Sequence, residues 1–348
     1  DIVTGGAGTI DIEATGGSIT LATDADQTSG SGDVRMLAEV DITLGGTITT
    51  TGAVSLTTDT GTIYDGDDDA SIDIVATDLR IDAAVGAGEL GAAVNPIETT
   101  VDTVSARATS GGISLHETDT LTVGTTSATV RRVATDATTD EVTDADQSDL
   151  RTTAGNGSII VRVAANALTL NDGTAPADNT TVSAHGTGNI LLETLDGSIT
   201  GNADVLSGTG DITVLASASI EFTAEADIVT GGAGTIDIEA TGGSVTQDDD
   251  AQASTAGGSI RVEAGQDITL GGLDAADGTV AVYAGGRIID GGDTHTDIAA
   301  SAVRLIGDTA VGASESTVDE LDTAVDTIAV RAGTGGVFVR DVNPQTVP

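Results

Sequence analysis

The sequence predicts an all-β chain wound as a single-stranded parallel β-helix, a β-solenoid with coils of about 20–24 residues. Three observations predict it. Asp1–Ser18 (DIVTGGAGTIDIEATGGS) returns letter for letter as Asp227–Ser244, and a repeat of that kind is the first thing a fold must explain. Within it, Gly8–Ala14 (GTIDIEA) alternates apolar with polar residues behind a glycine, the pattern of a strand with one dry and one wet face. The 348 residues include 47 Gly, 39% hydrophobic residues and only 1% aromatics. That composition suits a narrow core of stacked short strands, whereas an ordinary core of this size uses more large side chains.

Taken in order, glycine-led strands begin at Gly8, Gly32 and Gly52, then again at Gly234, Gly258 and Gly278, with steps of 24 and 20 residues in both sets. Gly188–Leu192 (GNILL) and Gly210–Val214 (GDITV) lie between them. A second short strand follows in most coils: Ser18–Leu21, Asp41–Leu44, Ser219–Phe222 and Asp267–Leu270. The pairs Gly16-Gly17, Gly45-Gly46 and Gly271-Gly272 mark corners, where a positive φ is expected. Stacking places Ile10 beside Val34, Ile12 beside Met36, Ile236 beside Ile260 and Ile238 beside Val262. The same step sets Asp11 against Arg35 and Asp237 against Arg261, favourable pairs, but it also sets Glu239 against Glu263.

A longer correspondence overlies the coils. Asp41–Gly46 matches Asp267–Gly272, and Val101–Ala108 matches Val325–Ala332. Residues 1–226 therefore read as one long repeat unit, and 227–348 as a partial second unit continuous with it. Arg131–Thr153, rich in Asp and Thr, reads as an excursion without a core strand, and Asn171–Thr180 as a loop. The expected total is about sixteen coils, on the order of 75 Å at one strand spacing per coil.

Asp and Glu number 55 against 12 basic residues, all Arg, for a net charge of −43. Such a chain is ill suited to nucleic acid, whose phosphates need basic partners, and to anionic membrane surfaces. There is no cysteine, hence neither disulfide nor thiolate metal site. No apolar run is long enough to insert in a membrane as a helix. The acids read as a solvated surface in a screening medium, or as places where calcium collects.

Gly188–Thr194 (GNILLET), Ser207–Leu215 (SGTGDITVL), Phe222–Glu239, Gly257–Gly272, Gly286–Gly292 (GRIIDGG), Asn95–Glu98 (NPIE), Val101–Leu115 and Glu117–Gly124 (ETDTLTVG) together resemble the repeat regions of filamentous haemagglutinin-like giant bacterial surface adhesins. The resemblance spans most of the chain outside Arg131–Thr153. It implies a right-handed parallel β-helix, an extracellular or cell-surface location, and a non-enzymatic adhesive or scaffolding role as a rod or stalk. The partners it implies are neighbouring repeats or further copies end to end, with cell-surface glycans or proteins beyond them. A subunit of an extracellular filament or sheath is the alternative. A carbohydrate-active β-helix enzyme is another, with Tyr64–Asp69 (YDGDDD) as the stretch to examine, because sugar hydrolysis needs paired carboxylates.

Calcium takes several converging hard oxygens, and two runs have that chemistry: Asp65, Asp67, Asp68 and Asp69, and Asp248, Asp249 and Asp250. Both also read as solvated acidic turns, since neither has the spacing of a calcium-binding loop. His116, His185 and His295 show no metal-ligand or triad spacing and read as ordinary surface residues.

Overall fold

The computed structural model describes residues 1–67, 71–91, 95–292, 295–313 and 320–342. Among these residues there is no α-helix, and parallel strands stack in register as a β-solenoid. There are about 13 coils, fewer than sixteen. The difference arises because Thr126–Gln147 leaves the coil altogether and several coils are longer than 24 residues, as where Ile74 pairs with Thr99. The chain forms two compact units, Asp1–Gly188 and Asn189–Pro348, so the boundary of the long sequence repeat falls inside the second.

In the first unit three strand columns run side by side. One holds Ile2–Val3, Gln27–Thr28 and Ile48–Thr49; the next Ile10–Ala14, Val34–Ala38 and Ala53–Thr58; the third Ile19–Thr20, Ile42–Leu44 and Ile63–Asp65. The first two columns then fuse into the long strands Ile74–Ala83 and Ile97–Ala108. The next strand, Ile113–Glu117, stacks on Ile97–Thr99 rather than on the older glycine-led column. The second unit repeats this step. Ile298–Gly307 and Leu321–Ala332 span two columns, and Val339–Asp341 stacks on Leu321–Thr323.

The anticipated core pairs are all in place: Ile10 with Val34, Ile12 with Met36, Ile236 with Ile260, and Ile238 with Val262. Val34, Met36, Leu56, Ile238, Val262 and Val282 are fully buried. At about 1.5–3 kcal/mol per buried aliphatic side chain, against about 0–1 kcal/mol for an exposed ion pair, these columns dominate the stability of the coil.

Polar side chains tie each coil to the next. Ser29, Thr50, Thr230 and Thr255 donate hydroxyls to the carbonyls of Gly8, Gly32, Gly210 and Gly234 at 2.6–2.7 Å. The hydroxyls of Ser29 and Thr255 also accept from Gly32 and Gly258 N–H. Turn aspartates act similarly: Asp26, Asp33, Asp41, Asp211, Asp227 and Asp267 each accept a backbone N–H from the following coil at 2.7–3.1 Å. These six of the 55 acids, read as surface solvation, thus satisfy backbone donors at the corners, where the ladder is interrupted.

The leading glycines are required by close approach. A Cβ on Gly258 would lie 1.8 Å from the carbonyl oxygen of Gly234, and one on Gly278 would lie 1.7 Å from that of Gly258. The corner pairs do not carry the expected positive φ at any of their six positions. Gly45, Gly46 and Gly271 are held instead by backbone of the preceding coil, whereas Gly16 and Gly17 face open space.

The excursion is a β-hairpin, Thr126–Val133 with Thr139–Gln147, antiparallel in register from Ala128–Asp144 to Val133–Thr139. It lies against the outer face of the glycine-led column. Ala128 and Val130 are buried there, and Thr129 N–H donates to Asp33 at 2.7 Å. Arg132 donates to Asp11 and Glu13. Asp144 accepts from Arg35 at 2.9 Å and from Ser55 at 2.7 Å. Gln147 Nε2 donates to the Ile81 carbonyl at 2.7 Å. One expectation is corrected: Leu150–Thr152, placed inside the excursion, is a core strand paired with Ala106–Ala108, and Leu150 is fully buried. Three residues with one inward leucine are too short to show a period in sequence.

Two glycine substitutions separate stacking from mere corner geometry. Gly258→Ala should cost about 1–3 kcal/mol, the range for overpacking, whereas Gly16→Ala should stay within about 0.5 kcal/mol of the parent. Urea denaturation of the two variants measures both.

Candidate metal centre

The acids that converge do so where the columns fuse. Ile63 points inward at the start of Ile63–Asp65, so Asp65, two residues on, points inward as well and is buried. Asp73 immediately precedes the long strand Ile74–Ala83, and Glu98 is the second residue of Ile97–Ala108; both are buried. One carboxylate oxygen from each of Asp65, Asp73 and Glu98 lies within 4.8 Å of the other two, the only such trio found among the described residues.

Donors to this trio are few. Asp65 Oδ1 accepts the Asp67 amide at 3.2 Å, and Asp73 Oδ2 accepts the Glu98 amide at 3.0 Å. The Asn95 side chain donates to the Asp65 backbone carbonyl at 3.4 Å. Among the described residues, Asp65 Oδ2 and Glu98 Oε2 are buried with no hydrogen-bond partner. Burial pushes Asp73 up to about 8, Glu98 up to about 7 and Asp65 up to about 6, with repulsion from neighbouring carboxylates adding to the effect. Burial pushes the Glu117 carboxyl up as well, but its surroundings differ. It is equally buried, but it accepts the amides of Val101, Thr118 and Asp119 and the Thr99 hydroxyl, so its charge is met by donors.

The second unit places three acids at the corresponding strand positions, although their oxygens do not all converge within 4.8 Å as the first trio's do. Asp290 ends Arg287–Asp290, Asp297 precedes Ile298–Gly307, and Asp322 follows Leu321; all three are buried. The Asp322 amide donates to Asp297 Oδ2 at 2.6 Å, as Glu98 does to Asp73. Burial, with repulsion from Asp290 and Asp322, pushes Asp297 up to about 8. Here a positive charge is built in. Arg340 faces Asp322 across the ladder, its Nε donating to Oδ1 at 2.7 Å and its Nη2 to Oδ2. In the first unit the residue facing Glu98 is His116.

Of the acids singled out in the sequence, Asp65 belongs to the trio, and Asp67 contributes its amide to Asp65. Asp68 and Asp69 lie outside the described residues. Asp248, Asp249 and Asp250 occupy a turn in which Asp248 and Asp250 are exposed, and Asp249 stands 4.0 Å from His295 Nδ1. Asp73 and Glu98 were missed, although the parity that turns Asp65 inward was readable from Ile63. Glu98 sits beside Ile97 in a strand buried at both positions, and alternation gives no hint of that. The trio can accommodate positive charge, either as shared protons or as a hard cation held by oxygen ligands.

A pH dependence follows for the second cluster. Asp297 titrates near 8 when folded and near 3.8 as a free carboxyl, so the folded state binds a proton that the unfolded chain releases. That contribution is complete below about pH 4 and is lost as pH rises through about 8. Urea midpoints at pH 5 and pH 8.5 should fall for the parent and fall measurably less for Asp297→Asn. No family model, curated protein or solved structure matches this chain.

Proposed function

We propose that the chain is a non-enzymatic structural and adhesive segment of a giant extracellular repeat protein, acting as a rod or stalk at the cell surface. The observation that carries this reading is the reuse of one coil design. The same eighteen residues, columns and column-fusing step occur twice, and repetition of this kind builds extended surface instead of a single reactive centre. The resemblance to filamentous haemagglutinin-like repeats points the same way. The net charge of −43 supports a role in a salt-rich exterior, where screening limits self-repulsion. No helix among the described residues is long and apolar enough to cross a membrane. In the groove between the hairpin and Ile10–Ala14, Arg132 is ion-paired with Asp11 and Glu13.

A filament or sheath subunit is the second reading. Ile2, Val3, Ile328 and Val337 are large apolar residues exposed on strands, and exposed apolar strands can pair with further strands. The partner would then be another coil of the same kind.

Location tests the main reading. Antibody raised against the Thr126–Gln147 hairpin should label intact, unpermeabilised source cells, and mild external protease should remove the signal. Labelling that requires permeabilisation would contradict a surface role.

A further inference from the structure

We propose that Asp65, Asp73 and Glu98 form a calcium site that closes the corner between the third strand column and the fused strands of the first unit. The inference goes beyond the structural reading and stands on three observations. The first is distance: a calcium ion binds oxygens at 2.3–2.6 Å, so ligands on its opposite sides stand roughly 4.6–5.2 Å apart. The trio's oxygens lie within 4.8 Å of one another, close enough to share one ion.

The second is unmet bonding. Asp65 Oδ2 and Glu98 Oε2 are buried with no hydrogen-bond partner among the described residues, in residues only 7% and 4% exposed. Buried carboxylate oxygens are costly unless a positive charge or a donor meets them. The buried Glu117, with amides and a hydroxyl on its oxygens, shows how this fold treats an acid that stands alone.

The third is the second unit, which places a cation at the corresponding point. Asp290, Asp297 and Asp322 hold the corresponding strand positions without converging as closely, and the Arg340 guanidinium covers both oxygens of Asp322. His116 occupies that ladder position in the first unit, directly opposite Glu98. The shorter imidazole cannot reproduce the two-pronged guanidinium contact. Carboxylate oxygens from three segments, carrying up to three negative charges, favour calcium over magnesium, which keeps most of its waters and takes few protein ligands.

The test uses the full chain, with calcium chloride as the probe and ionic strength held constant with sodium chloride. Isothermal titration should show one saturable calcium site, and thermal unfolding should rise by several degrees from EDTA to millimolar calcium. Glu98→Gln should remove the site. His116→Arg, which copies the second unit and keeps all three carboxylates, should weaken calcium binding by more than about tenfold while melting in EDTA at or above the parent's temperature. Asp248→Asn should change nothing. Saturable binding that survives unchanged in both Glu98→Gln and His116→Arg would overturn the proposal, since the ion would then sit elsewhere on the acidic surface. Titration without a saturable site in the parent would overturn it equally.

Discussion

Each residue of a coil stands beside its counterpart one coil away, held by a parallel backbone ladder. This in-register constraint treats side chains unequally. Aliphatic residues stacked on aliphatic residues bury each other completely, as in Val34 with Val54, Met36 with Leu56, or Ile238, Val262 and Val282. Hydroxyls stacked near turn carbonyls donate to them. Glycines stacked on glycines let the backbones approach within a distance no Cβ tolerates. Carboxylates stacked on carboxylates repel, and a chain with 55 acids meets that penalty repeatedly.

The structure offsets it in four distinct ways. At the corners, aspartates accept amides of the next coil. On the outer face of the second unit Arg261 donates to Asp237, Glu239 and Glu263 together, so the like-charge pair Glu239–Glu263 is bridged by one guanidinium. On the corresponding face of the first unit the hairpin brings Arg132 to Asp11 and Glu13, and Asp144 to Arg35. Burial pushes the Asp11 carboxyl up, but Arg132 and Arg35 outweigh it and hold it below the ordinary carboxylate range. At the fused corners, buried carboxylates meet a guanidinium in one unit and, on the proposal above, calcium in the other. Identical sequence does not mean identical burial: the side chain of Asp11 is 10% exposed beneath the hairpin, and that of Asp237 is 38% exposed without one.

The parts of the fold legible in sequence were those governed by a single coil step. The steps of 24 and 20 residues placed Ile10 on Val34 and Asp237 on Arg261 because register follows directly from spacing. What was hidden depends on contacts between distant segments. Arg132 reaches Asp11 across 121 residues, and no local period announces that. Asp73 and Glu98 were not singled out, because the fusion of two columns, which buries both, appears only when strands of different coils are seen together. Asp65 was legible in part, its inward parity set by Ile63. The corner glycines were misread because sequence suggests φ first and close approach second.

The most direct measurement of the in-register constraint uses the absence of cysteine in the parent chain. Thr213 and Asp237 are register partners on neighbouring strands, with a strand spacing of about 4.8 Å, inside the range a disulfide spans. Glu239, two residues further on, is roughly 8 Å away along the diagonal, beyond that range. Mild oxidation of Thr213→Cys/Asp237→Cys should give rapid, near-complete internal cross-linking, and Thr213→Cys/Glu239→Cys should give little. Equal yields from the two pairs would mean that the coils do not hold a fixed register, and the account of columns, bridging arginines and buried trios would fail with it.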